Sequence, residues 1–322
     1  MLYPIKFEPI IKEKIWGGSK LKTLLNKQIK SNKAGESWEV SGVKDNLSVV
    51  SNGFLKGKNI QELIIEYKEL FVGYNVYKKF KSSFPLLIKF IDAKDDLSVQ
   101  VHPDDIVAKN RHNESGKNEM WYIIDSEEDS YLILGVNKDL SKEEYVDLVE
   151  KKRINEVLNK IKVQKDDVAF IPAGRIHAIM KGVFLAEIQQ SSDITYRIYD
   201  WDRPGLDGSF RDLHTKETVD IVELKKQDQY LIEYDKKSKN NTELCKNKFF
   251  TVNSKKIIKK ETYKYQSIDS FIILMTLAGE YTVNFKDTSI KMIKGETVLI
   301  PACIEEIEIE PSLDSILLEV YI

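Results

Sequence analysis

The sequence lacks the features that define several classes of protein. Its 322 residues include only two cysteines, Cys245 and Cys303, too few for a disulfide scaffold or a cysteine-type zinc site. The longest apolar run, residues 271–278, is far shorter than the ~18 residues that a membrane-spanning helix needs. The 49 basic residues nearly balance the 51 acidic ones, so the basic excess typical of nucleic-acid-binding proteins is missing. The first residues contain no signal-peptide core, and we therefore expect a cytoplasmic protein without nucleic-acid or membrane partners.

The remaining composition is that of a globular protein with one large domain or two smaller ones. Apolar residues make up 42% of the chain and charged residues 31%. Two segments carry apolar residues at helical spacing behind a capping-box pattern: residues 59–72, which begin NIQE, and residues 141–161, which begin SKEE. We predict a helix in each segment, with Asn155 marking a break or a second cap in the longer one.

Most of the other apolar segments are short and are separated by turn residues. This pattern is typical of a β-sandwich or barrel rather than of a doubly wound sheet. The strands predicted in this way lie at residues 84–91, 120–124, 131–134, 168–171, 184–188, 249–252, 271–277, 281–285, 297–300 and 315–321.

One segment occurs twice in the chain. Residues 166–174 (DDVAFIPAG) resemble residues 295–303 (GETVLIPAC), and each contains a turn, an apolar strand and Ile-Pro-Ala. The repeat indicates two copies of one β-domain. The first copy continues to His177 and the second has Glu306 at the matching position, so the second copy has no histidine-based site.

We place the boundary between the two copies in the polar stretch of residues 234–241. The predicted domains are therefore residues 1–235, which contain the candidate metal-binding and catalytic residues described next, and residues 236–322, a degenerate second β-domain.

Three separate segments contain residues that suit a metal ion. Gln100 and His102 are two apart, and on a strand such residues point to the same face. Glu119 begins an apolar strand, where a buried carboxylate needs a partner. A Pro-Ala-Gly turn is expected to present His177 at the start of the next strand. Two imidazoles, one carboxylate and one amide oxygen suit Zn²⁺ or another divalent first-row ion.

The order and spacing of these residues resemble the two-part motif of the cupin fold, a small β-barrel with its metal inside. Gln100 stands where the first histidine of that motif usually lies. We therefore predict a mostly β protein with a cupin-type β-barrel or jelly roll in two copies, the second degenerate, and with helical insertions.

The sequence also resembles the type I mannose-6-phosphate isomerases in their short bacterial form. The resemblance covers roughly residues 1–220 and is much thinner beyond them. The motifs that carry it are IWGG (15–18), GESWE (35–39), QVHPD (100–104), GKNEMWY (116–122), IPAGRIH (171–177), SDITYRIYDW (192–201) and RDLH (211–214).

The resemblance implies an aldose–ketose isomerase that interconverts mannose 6-phosphate and fructose 6-phosphate through a metal-stabilised enediol or enediolate. It implies Arg197 and Glu187 as catalytic residues, with Arg197 in an electrostatic role because its guanidinium is always charged. Lys117 is implied as the substrate-binding residue. The implied ligands of one Zn²⁺ or other divalent ion per chain are Gln100, His102, Glu119 and His177.

Several positions stay open on the sequence alone. Glu187 follows an apolar run and faces either inward or solvent. Lys117 either binds the phosphate or lies in an exposed loop, and Arg175 either contacts the phosphate or points to solvent. Asp105 stands where some family members have a lysine, which puts a phosphate or base role there in doubt.

Two other functions compete with the isomerase, which would take a small-molecule sugar phosphate as its partner. One is a non-catalytic, metal-containing sugar-binding cupin, and the presence of both Arg197 and Glu187 favours the enzyme instead. The other is an iron-dependent cupin oxygenase, which is disfavoured because Gln100 replaces a histidine. The sequence leaves the oligomeric state open.

Overall fold

The computed structural model describes residues 1–238 and 241–322, and antiparallel strands dominate it. Residues 239–240 of the predicted boundary stretch lie outside the described residues. The strands, in chain order, are β1 (Ile5–Lys6), β2 (Ile10–Gly18), β3 (Ala34–Ser41), β4 (Leu86–Asp92), β5 (Val99–Val101), β6 (Glu119–Ser126), β7 (Tyr131–Val136), β8 (Leu158–Lys162), β9 (Val168–Ile171), β10 (His177–Ile179), β11 (Val183–Gln190), β12 (Tyr196–Tyr199), β13 (Thr242–Lys246), β14 (Thr251–Ile257), β15 (Glu261–Lys264), β16 (Ile272–Phe285), β17 (Thr288–Ile293), β18 (Thr297–Ile300) and β19 (Glu306–Tyr321).

Helices are few and short, and no described helix is long and apolar enough to cross a bilayer. The mostly β prediction is therefore confirmed. The α-helices are α1 (Lys20–Thr23), α2 (Ile60–Tyr67), α3 (Glu69–Val72), α4 (Tyr74–Phe80), α5 (Asp105–His112), α6 (Lys142–Glu150) and α7 (Thr215–Thr218), and short 3-10 turns lie at Lys44–Asn46 and Ile154–Glu156.

The strands form three open sheets rather than a closed barrel. A six-stranded sheet has the order β2-β3-β4-β11-β6-β9, and a five-stranded sheet has the order β12-β5-β10-β7-β8. The third sheet contains β1, the long strands β16 and β19, and the remaining C-terminal strands. The first two sheets carry all the predicted site residues on their strands or in the turns that join them.

Both predicted capping boxes are present. In the first, the Glu62 backbone N–H donates to Asn59 at 3.0 Å while Glu62 accepts from the Asn59 backbone N–H at 2.7 Å. The helix predicted over residues 59–72 is divided at Lys68, whose backbone φ is +51°.

The second predicted helix is too long. Helix α6 ends at Glu150, and residues 158–162 form β8, which pairs with β7. Lys152 has a φ of +56°, which ends the helix before Asn155. Pairing with β7 buries Leu158 and outweighs the helical spacing of the apolar residues there.

The two repeated segments have the same local structure. Each forms a strand, β9 or β18, followed by a turn and then by a strand that begins five residues after the proline, at His177 or Glu306. The N-terminus also connects the two halves, because Ile5 and Lys6 of β1 pair with Leu299 and Val298 of β18. One apolar cluster contains residues from both halves, and in it the Phe84 and Phe271 rings lie 4.7 Å apart.

Candidate active site

The strand register aligns the predicted site residues in two rows. On the five-stranded sheet, Arg197 lies opposite Gln100, and Gln100 lies opposite His177. On the six-stranded sheet, Lys89 lies opposite Glu187, and Glu187 lies opposite Trp121. Gln100, Arg197, Glu187, Lys89 and Trp121 line a single cavity of about 270 Å³. The cavity therefore lies between the two sheets.

Three of the predicted metal ligands converge beside this cavity. The Nε2 atoms of His102 and His177 lie 3.1 Å apart, and the Glu119 oxygens lie 3.4 Å from His102 Nε2 and 3.8 Å from His177 Nε2. All three side chains are buried. Glu119 begins β6, His177 begins β10, and His102 directly follows β5, so chain segments far apart in sequence meet at one point.

The turn before His177 has the predicted form. Gly174 has a φ of +91°, a conformation that glycine adopts without strain, and its N–H donates to the His102 carbonyl at 2.9 Å. This bond ties the segment that carries one histidine to the segment that carries the other.

Backbone carbonyls set the tautomer of both histidines. The Nδ1 of His102 lies 2.8 Å from the Ile194 carbonyl, and the Nδ1 of His177 lies 2.8 Å from the Arg175 carbonyl. A carbonyl only accepts, so each Nδ1 must carry the hydrogen. Burial, together with the charge of Lys117, lowers the pKa of His102 to about 3, and burial also lowers the pKa of His177. Both rings are therefore neutral, with an Nε2 lone pair directed at the site.

Glu119 completes a set of donors that fits a metal ion. Its side chain is fully buried, and the charged partner of its carboxylate is the Lys117 ammonium, 2.5 Å from Oε1. Burial alone would raise the pKa of Glu119, but the neighbouring Lys117 ammonium holds it well below its usual range. A tetrahedral ion with bonds of about 2.1 Å needs ligand atoms about 3.4 Å apart. The separation of the two nitrogens, 3.1 Å, and their separations from one or the other Glu119 oxygen, 3.4 and 3.8 Å, bracket that value.

Gln100 is close enough to be the fourth ligand. Its side-chain Nε2 lies 3.3 Å from His177 Nε2, while its Oε1 accepts a long bond of 3.4 Å from Ser98. A half-turn of the terminal amide exchanges the two atoms and directs the oxygen at the same point.

Lys117 is buried, so it is not an exposed loop residue. Its Nζ forms an ion pair with Glu119 at 2.5 Å and lies 3.1 Å from His102 Nε2. The ammonium therefore lies at the end of the cavity next to His102, Glu119 and His177, which we call the metal end. There it partly occupies the space between the side-chain atoms of these three residues.

Glu187 faces inward and is not one of the converging ligands. Its Oε1 accepts a hydrogen bond from Trp121 Nε1 at 2.8 Å, and its Oε2 lies 2.7 Å from Lys89 Nζ. Burial and the charge of Glu119 raise the pKa of Glu187, while Lys89 opposes the shift. A buried carboxylate with a raised pKa suits proton transfer.

Arg197 lines the cavity without an ion-pair partner among the described residues, and its Nε is buried and makes no hydrogen bond. Two hydrogen bonds to His214 fix the backbone of Arg197. The Arg197 backbone N–H donates to His214 Nδ1 at 3.1 Å, and the His214 backbone N–H donates to the Arg197 carbonyl at 2.8 Å. His214 is the residue before helix α7.

Other polar residues of the matched motifs lie away from the cavity. Arg175 pairs with Glu223 at 2.9 Å and does not line the cavity. Asp105 accepts from the Gly116 N–H at 3.0 Å and from Gln190 at 2.9 Å, which are structural bonds.

Sequence reasoning missed much of the opposite wall. Lys12, Lys14, Glu36, Trp38 and Lys89 also line the cavity. Lys89 could have been identified from the sequence, because a single lysine inside a continuous apolar strand needs a buried partner. Lys12 and Lys14 lie on β2, and Glu36 and Trp38 lie on β3. These four residues lie within or beside the IWGG and GESWE motifs, which supported the family resemblance but did not indicate a role for any single residue.

Comparison with known proteins identifies the family. Residues 5–129 match the family described as phosphomannose isomerase type I, catalytic domain, and residues 240–319 match the mannose-6-phosphate isomerase cupin domain. The mannose-6-phosphate isomerase ManA of Bacillus subtilis is 34% identical over 317 residues, covering 95% of this chain and 96% of that protein. The mannose-6-phosphate isomerase of Streptococcus mutans is 34% identical over 98% of both chains.

Solved structures give the same result. The crystal structure of the Bacillus subtilis mannose 6-phosphate isomerase matches with a TM-score of 0.90 and 33% identity over 100% of both chains. The apo form of the Salmonella typhimurium enzyme, at 17% identity and a TM-score of 0.78 over 100% of this chain and 99% of that one, shares the fold. The chain belongs to the type I mannose-6-phosphate isomerase family and is an aldose–ketose isomerase.

Proposed function

We propose that this protein interconverts mannose 6-phosphate and fructose 6-phosphate, with His102, Glu119, His177 and Gln100 as the ligands of one divalent metal ion. The observation that carries the proposal is the convergence of two neutral imidazoles on a buried carboxylate beside a cavity lined by Glu187 and Arg197. Zn²⁺ suits this set of nitrogen and oxygen donors best. When bound, the ion would supply positive charge to the oxygens on C1 and C2 of the open-chain sugar.

The side chains of the cavity divide the remaining chemistry between them. Glu187 takes the proton from C2 of the aldose and returns it to C1. The proton of the C2 hydroxyl passes to the C1 oxygen in the same reaction, and the two transfers together form the ketose. Trp121 and Lys89 hold its carboxylate in place for both transfers. Arg197 lies one strand from Gln100 and stabilises the negative charge that develops on the substrate oxygens.

Lys117 is proposed as a substrate-binding residue at the reacting end of the cavity. A metal ion held by Glu119 would repel the Lys117 ammonium, which lies 2.5 Å from the same carboxylate. With a metal bound, the ammonium would turn toward the cavity that it already lines and donate to a substrate oxygen.

A coupled assay that detects fructose 6-phosphate formed from mannose 6-phosphate tests the function. We expect turnover by the metal-loaded protein, loss of turnover with a chelator, and recovery on adding Zn²⁺. Turnover that survives complete removal of metal would contradict the proposal. We also propose a cytoplasmic location, because charged sugar phosphates do not cross a bilayer unaided.

A further inference from the structure

Six cationic side chains of the described residues line the cavity. Four of them are neutralised by carboxylates: Lys14 by Glu36 at 3.3 Å, Lys89 by Glu187 at 2.7 Å, Lys117 by Glu119 at 2.5 Å and Arg211 by Asp200 at 2.5 Å. Among the described residues that line the cavity, Lys12 and Arg197 are the cations without a carboxylate within 4 Å. These two side chains are therefore available to an anionic ligand.

The two unpaired cations lie in different parts of the cavity. Arg197 is directly opposite Gln100 in the strand register and so belongs to the metal end. Lys12 is on β2, which is separated from the β11 strand of Glu187 by β3 and β4. Three strand steps correspond to ~14 Å between backbones, and the lysine side chain spans part of that distance. The Trp38 ring links the two ends, because Lys12 Nζ lies 4.8 Å from its centre and Lys89 Nζ, which pairs with Glu187, lies 5.5 Å from it.

The Lys12 ammonium is held in place by neutral groups. It donates to Asn46 Oδ1 and lies 4.8 Å from the centre of the Trp38 ring. Trp38 is fixed in turn, because its Nε1 donates to Glu36 at 2.6 Å. A lysine ammonium has three hydrogens, so two remain for a ligand after Asn46 is satisfied. Half-burial strengthens the attraction for an anion without making the charge unfavourable.

We propose that Lys12 binds the phosphate group of the substrate at the end of the cavity remote from the metal site, and that it selects phosphorylated over neutral sugars. The inference rests on the proposed function. It places at Lys12 the phosphate contact that the sequence alone suggested for Lys117.

Steady-state kinetics of the metal-loaded Lys12→Met variant test this role. A contact made equally in the ground and transition states affects KM rather than kcat. We expect KM for mannose 6-phosphate to rise about ten- to a hundredfold, as for loss of one charge-assisted hydrogen bond, with kcat changed less than about threefold. The inhibition constant of inorganic phosphate should rise by a similar factor. Lys12→Arg, which keeps the charge, should recover most of the lost affinity.

Lys44→Met is the matched control, because Lys44 is an exposed lysine near Asn46 that does not line the cavity. It should leave both constants unchanged. Unchanged KM and phosphate inhibition in Lys12→Met would overturn the inference, as would a loss of kcat with both constants unaltered. Titration calorimetry with inorganic phosphate needs no turnover. The dissociation constant that it gives for phosphate can be compared between wild type and Lys12→Met even if the proposed isomerisation is not observed. Failure of the proposed reaction and failure of the proposed phosphate site are therefore distinguishable.

Discussion

The Nε2 atoms of His102 and His177 face each other at 3.1 Å, and neither carries a hydrogen. Two lone pairs at that distance repel unless a positive group lies between or beside them. Without a metal, Lys117 approaches one nitrogen at 3.1 Å and the Gln100 amide approaches the other at 3.3 Å. The site is thus built for a cation.

Metal binding should stabilise the fold through this pair. An ion that binds only the native state raises the unfolding temperature by an amount that grows with the logarithm of its concentration relative to its dissociation constant. We expect Zn²⁺ to raise the unfolding temperature of wild type and a chelator to reverse the rise, whereas His102→Ala should show no rise and little bound metal. His112→Ala is the control, because His112 is exposed and bonds to Tyr196. Equal metal content in His102→Ala and wild type would remove His102 from the ligand set.

Glu187→Gln should separate proton transfer from metal binding. The amide keeps the size of the side chain and an oxygen that accepts from Trp121, but it cannot act as a base. Loss of a general base lowers kcat by about 10²–10⁴. Metal content should stay at the wild-type level, and solvent deuterium should no longer enter C1 of the fructose 6-phosphate formed. Glu243→Gln, an exposed change on β13, is the control. Undiminished deuterium incorporation would assign the base to another group.

Arg197→Ala should reduce turnover without releasing the metal. Arg197 is one strand from Gln100 but is not a metal ligand in the proposed set. Removing one donor that stabilises developing charge costs about 10²–10³ in kcat. Metal analysis and kinetics on the same preparation check this result. If metal content and turnover both stay near wild type, Arg197 has no catalytic role.

Glu36 should make stability depend on acid pH. Burial would raise the pKa of Glu36, but Lys89, Lys14 and Trp38 together lower it to about 2, below its usual value of 4.5. A carboxyl with a lowered pKa stabilises the fold above its unfolded-state pKa and loses that contribution as the pH falls. Glu36→Gln should therefore lower the free energy of unfolding by a constant amount at neutral pH, and the difference should shrink below about pH 5. A difference that grows in acid would contradict the assignment.

A buried ion pair in the C-terminal sheet should matter more than an exposed one. Lys255 and Glu319 are 2.8 Å apart with side chains 6% and 4% exposed, and Tyr265 also donates to Glu319 at 3.0 Å. Lys255→Met would leave a buried carboxylate without its cation, which costs about 3–5 kcal/mol in the free energy of unfolding. Lys260→Met removes the exposed partner of Glu308 and should cost less than about 1 kcal/mol. Denaturant unfolding of both variants compares them, and equal losses would refute the distinction.

The convergence of His102, Glu119 and His177 was predictable because the signals for these residues are local. Gln100 and His102 show the two-residue period of a strand, and the Pro-Ala-Gly turn before His177 determines where β10 begins. Both capping boxes likewise lie within four residues of sequence. The position of Lys117 was not predictable, because no local pattern shows that its ammonium turns back against Glu119.

Features that depend on distant pairing were the ones that sequence reasoning missed. The segment 158–162 has helical spacing, yet pairing with β7 makes it a strand. Lys12 and Glu36 reach the cavity because β2 and β3 join the sheet through β4, whose sequence lies some fifty residues further on. Composition and local periodicity do not indicate which distant strands pair with each other.

The pairing of β1 with β18 has a consequence for how the protein is made. Ile5 and Lys6 leave the ribosome early, but their partners Leu299 and Val298 are synthesised near the end. Contacts this distant in sequence form slowly because a long loop must close first. During translation β1 therefore lacks its partner strand until synthesis is nearly finished, although every strand of the five- and six-stranded sheets has already been made. A nascent chain halted near residue 235 should thus bind chaperones through its N-terminus, even though every proposed metal ligand has been made.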